Sequence, residues 1–99
     1  MKIVWSALAL SDRDGIFTRI ELHNPRAAIA MDERIVAATS RLRQFPESGR
    51  PGRVAGTREL VVGGTPYIAP YRVGDETVWI LRILHAARVW PNTFNDPTA

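Results

Sequence analysis

The stretch that most constrains this chain is residues 77–91, TVWILRILHAARVWP. Read at period 2, Val78, Ile80 and Leu84 fall on one side with Arg82, while Trp79, Leu81 and Ile83 fall on the other with His85. Apolar side chains on both sides need cover on both faces, so the stretch is expected to be one continuous central strand. Taken alone, Arg82 reads as a guanidinium that snorkels out or pairs with a carboxylate, and His85 as a hydrogen-bonded histidine at a strand end. Arg82, His85 and Arg88 together at one end of one strand mark a candidate site.

Size limits where chemistry could take place. Ninety-nine residues, 45% hydrophobic and without an internal repeat, suffice for one domain with a single core, expected over residues 1–91, followed by a flexible tail, residues 92–99. A ligand-enclosing cavity is not expected, so a reaction would have to run on an open face. The absence of cysteine removes a disulfide framework and a thiolate metal site, and the two histidines stand far apart in sequence. Neither a metal nor a small-molecule cofactor is therefore expected. The N-terminal apolar run is broken by Asp12, Arg13 and Asp14 before it could serve as a signal or a membrane span, which implies a cytoplasmic protein with no membrane partner.

Along the chain, Ile3, Val4 and Trp5 suggest a short strand, and Ser6 an N-cap for a helix over residues 7–23. Leu10, Ile16, Phe17 and Ile20 supply its apolar side. Asn24 and Pro25 stop that helix and start another, whose Ala28, Met31, Ile35, Ala38 and Leu42 recur at spacings of 3 and 4 as a packing seam. The segment PESGRPGR, residues 46–53, reads as a loop. Two strands follow over residues 57–62 and 65–73, joined at Gly63-Gly64 by a two-residue turn with positive φ angles, and Pro66 and Pro70 are expected to push parts of the second strand into edge or bulge geometry. The order strand, helix, helix, meander predicts an α+β fold, with an N-terminal strand and a helical hairpin packed on a mostly antiparallel sheet.

Charge points to a polyanionic or acidic partner. Residues 1–40 carry five basic and five acidic groups, whereas residues 41–91 carry eight basic and four acidic, and twelve of the thirteen basic residues are arginine. If neighbouring strands align Arg58, Arg72 and Arg82 in one patch beside His85 and Arg88, guanidiniums could hold a phosphodiester while the imidazole moves a proton. RNA brings its own 2′-hydroxyl nucleophile. Glu59 reads as a surface salt-bridge partner rather than a base, and no phosphate-binding loop, dinucleotide fingerprint or nucleophile elbow competes.

The segments GRVAGTRELVV, PYIAPYRV and VWILRILHAARVWP resemble the RelE/ParE superfamily of bacterial type II toxins, and the resemblance spans residues 2–91. It implies a cytoplasmic toxin with a helical hairpin over a four-stranded, mostly antiparallel sheet, neutralised by a cognate antitoxin that is acidic and folds on binding, for which Arg41 and Arg43 are candidate contacts. RelE-like members cleave mRNA on the ribosome, and on that reading Arg58, Arg72 and Arg82 would bind phosphate and His85 would be the general acid. ParE-like members block DNA gyrase, and there the closing strand would bind protein. Arg53, Arg88 and Trp90 are the candidate substrate or target contacts. The lysines and the C-terminal tyrosine of several RelE-like enzymes are missing, since Lys2 is the only lysine and Trp90 stands near the end. Expectation leans to mRNA cleavage, with gyrase inhibition as the alternative.

Overall fold

A computed structural model describes residues 1–94. The N-terminal strand β1 (Lys2–Trp5) leads into helix α1 (Ala7–Glu21) and helix α2 (Pro25–Ser40), which ends in a 3-10 turn (Arg41–Arg43). Five more strand segments follow: β2 (Arg50–Pro51), β3 (Arg58–Val61), β4 (Tyr67–Val73), β5 (Thr77–Ile80) and β6 (Leu84–His85).

The two caps form where the sequence places them. Ser6 accepts the Ala9 N–H at 3.0 Å and donates to the Leu81 carbonyl at 2.8 Å, so one hydroxyl caps α1 and ties it to the sheet. Asn24 accepts from Ala27 at 3.1 Å with Pro25 at the first helical position. Helix α1 stops two residues before its expected end, and Leu42, on the packing seam of α2, keeps its place in the core from the 3-10 turn.

The sheet runs β1-β5-β4-β3-β2, with β1 parallel to β5 and all other pairs antiparallel; β6 pairs with β4. The core lies between this sheet and the helical hairpin. Ala9, Ile16, Ile35 and Leu42 meet Val62, Tyr67, Ala69, Tyr71, Val78, Ile80 and Ile83. Leu10, expected on the buried side of α1, is instead exposed.

Two local readings are corrected. The β3–β4 connection is longer than a two-residue turn: Thr65 N–H donates to Val62 O at 3.2 Å and Val62 N–H to Tyr67 O at 3.0 Å, and only Gly64 of the glycine pair takes a positive φ, +75°. That is the third position of a turn needing a left-handed residue, not a pair of them. The closing stretch is also not one strand. Ile80 lies opposite Tyr71 and Leu84 opposite Ile68, so three residues on one side face two on the other. The extra residue makes a β-bulge across from Pro70, which has no N–H to continue the ladder. Beyond it the alternation is inverted: Ile83 enters the core and His85 shares a face with Tyr67, while Leu84 no longer follows Val78 and Ile80.

Candidate functional site

The bulge decides what happens to Arg82. Its guanidinium makes a two-point contact with Asp12 of α1, Nε to Oδ2 at 2.8 Å and a terminal nitrogen to Oδ1 at 3.1 Å, and the Ile83 N–H also donates to Asp12 Oδ2, at 2.9 Å. The hydrogen bond to Asp12 raises the Arg82 pKa further above its already high value, against the opposing effect of burial. Arg82 is thereby a clamp between the bulge and α1.

The other two arginines are held elsewhere. Arg58 is aligned with Tyr71 and Arg72 with Trp79, and because Tyr71 and Arg72 are consecutive in β4, Arg58 and Arg72 lie on opposite faces of the sheet. One terminal nitrogen of Arg58 donates to the carbonyls of Glu47 at 3.3 Å and Gly49 at 2.9 Å. Arg72 donates to the Gly56 carbonyl at 2.9 Å. Neighbouring strands therefore do not gather Arg58, Arg72 and Arg82 into one patch.

His85 pairs with Tyr67 across the sheet, with the rings edge to face at 5.7 Å. Its Nδ1 accepts the Ala87 N–H at 3.1 Å and its carbonyl accepts from Arg88 N–H and from Trp90 Nε1, each at 3.1 Å. Nε2 is then the ring nitrogen left to exchange a proton. Residues 86–89 form an exposed loop in which Val89 is fully solvent-accessible.

Arg53 and Trp90 meet each other: the guanidinium carbon lies 3.8 Å from the centre of the indole ring. Behind them sits Glu59, which is no surface carboxylate. It is 2% exposed, accepts both Nε and a terminal nitrogen of Arg50 at 3.2 and 3.1 Å, accepts the Arg53 backbone N–H at 2.8 Å, and faces Arg53 Nε at 3.7 Å. Sequence reading missed this because a strand over residues 57–62 with one charged residue on each face looks half solvated; the loop that covers Glu59 lies outside the strand pattern. Arg41 and Arg43 are exposed on the 3-10 turn beside the exposed Phe45.

This geometry and fold can be set beside known proteins. A family model described as the ParE toxin of the type II toxin-antitoxin system parDE matches residues 3–90. The chain belongs to this family. Within the RelE/ParE superfamily, this toxin is 44% identical over 90 residues to Y4kP of Sinorhizobium fredii, a candidate toxin by its name, with 91% of this chain and 93% of the relative covered. It is 42% identical over 88 residues to the toxin RelE2 of Caulobacter vibrioides, covering 89% of this chain and 98% of that one. Among solved structures, a chain of the chromosomal ParDE system from P. aeruginosa matches with a TM-score of 0.78 and 32% identity, over 84% of this toxin and 92% of that chain. The expected superfamily and α+β fold are thus both found.

Proposed function

We propose that this toxin of a type II system arrests growth by binding a protein target, DNA gyrase, as ParE-like toxins do, rather than by cutting RNA. The observation that carries this reading is the dispersal of the candidate catalytic groups. A phosphoryl-transfer site needs its cations convergent on one phosphate at the moment charge develops. Here Arg82 is committed to Asp12, and Arg58 and Arg72 bind backbone carbonyls on opposite faces. The match to the ParE toxin model supports the same reading. The fold alone does not choose, since one architecture serves both activities.

Ribosome-dependent mRNA cleavage is the second reading, favoured by the likeness to a relative named RelE2 and by the available Nε2 of His85. It would require Arg58, Arg72 and Arg82 to leave their present partners for the phosphate. In either case the partner that silences the toxin in the cytoplasm is a cognate antitoxin, acidic and folding on contact, with Arg41 and Arg43 as its contacts. Programmed ribosomes given the purified toxin should leave mRNA intact, with no cut that depends on His85. Specific mRNA cuts that disappear in His85→Ala would reverse the assignment.

A further inference from the structure

The structure assigns Glu59 as a positioning residue for the C-terminal loop, residues 86–89, through which this toxin meets its target; the inference rests on the protein-binding reading. All four residues of the loop are exposed, Val89 fully. The loop keeps its shape because it is closed at both ends. At one end His85 is paired to β4 and accepts from Ala87, Arg88 and Trp90. At the other, Trp90 lies against the Arg53 guanidinium, whose backbone N–H and Nε both face the carboxylate of Glu59.

Glu59 is the buried anchor of that series. Its carboxylate is 2% exposed, whereas the side chains of Arg50 and Arg53 are each about half exposed at 51% and 49%. Removing either partner from a buried carboxylate leaves a charge that water does not compensate, so the carboxylate resists losing its cations. Arg53 is therefore fixed, and so is the indole over it. The consequence is a preformed loop presenting Arg88 beside a fully exposed Val89, which suits an apolar recess next to an acidic group on a partner protein.

Glu59→Gln retains the volume and an acceptor for the Arg53 N–H but removes the charge that holds the guanidinium. Arg53→Gln tests the same link from a half-exposed side chain and leaves Arg50 on the carboxylate. Trypsin cuts after arginine, and Arg88 lies within the loop. Both variants should be cleaved after Arg88 about fivefold faster than the unaltered toxin, as loss of a cation–π contact implies. Cleavage after Arg41 and Arg43 should not change, and potency against gyrase supercoiling should drop in proportion. Arg53→Lys keeps the charge and the ring contact and should behave within about twofold of the unaltered chain. Unchanged cleavage after Arg88 in both Gln variants would overturn the brace, and faster cleavage with full potency would overturn the docking role of the loop. If the unaltered toxin leaves gyrase active, the target reading fails separately: cleavage still decides the brace, and growth arrest then measures potency.

Discussion

Tyr71 is buried in the middle of the sheet with its hydroxyl donating to the Pro46 carbonyl and accepting the Gly49 N–H, both at 2.8 Å. Burial pushes its pKa up, opposed by the Gly49 hydrogen bond and by the charge of Arg58. The native state then holds this proton more tightly than the unfolded chain. The resulting stability is complete below the ordinary tyrosine pKa of about 10 and is lost as pH rises through the higher native value. Melting temperature followed from about pH 8 to about pH 11 should fall more steeply for the unaltered toxin than for Tyr71→Phe. At neutral pH Tyr71→Phe should cost about 1–3 kcal/mol in urea unfolding, because it leaves the buried Gly49 N–H unpartnered; a neutral substitution would mean that N–H finds another acceptor. Asp12 and Arg82 give a second test. A double-mutant cycle on Asp12→Ala and Arg82→Ala should yield a coupling of about 1 kcal/mol, modest because both groups are partly exposed, and additivity would show the clamp to be inert. A carboxylate partner was one of two readings the sequence left open for Arg82, beside a guanidinium that snorkels out. Which carboxylate was not legible, because Asp12 lies 70 residues away and only the packing of α1 on the bulge brings the two together.

The elements show the same division between local and long-range information. Ser6 and Asn24 act through neighbours three residues away and Pro25 through its own backbone, so both helix starts could be read directly. The β3–β4 hairpin was also legible, but the phase of its turn depended on the Val62–Thr65 and Val62–Tyr67 hydrogen bonds. Gly64 at φ +75° should resist substitution, with Gly64→Ala costing about 1–2 kcal/mol in urea unfolding for the left-handed backbone. Gly63→Ala should be nearly neutral, since Gly63 has no positive φ and a Cβ there meets open space. Equal losses at the two positions would show that the turn had been assigned the wrong phase. The bulge was the element least visible from sequence. Residues 81–83 alternate as well as any strand, and the interruption comes from Pro70 on the neighbouring strand. Because a shift of one residue moves every later side chain to the other face, this one event turned over Leu84 and His85; the arginine patch is lost separately, to the register that sets Arg58 and Arg72 on opposite faces.

For the whole molecule, an α+β toxin with a helical hairpin over a mixed sheet follows from hydrophobic pattern and resemblance together, whereas the target depends on where a few charged groups come to rest. Among the described residues, those groups act mainly inward: Arg82 on Asp12, Arg58 and Arg72 on backbone carbonyls, and Arg53 on Glu59 and Trp90. Such an arrangement stabilises shape, and shape is what a protein-binding toxin needs. The most direct test is supercoiling of relaxed plasmid by DNA gyrase with the purified toxin added in increasing amounts. Supercoiling should fall progressively and be restored when the cognate antitoxin is added first. Undiminished supercoiling at every concentration, from a preparation that cuts mRNA on the ribosome, would contradict the gyrase reading.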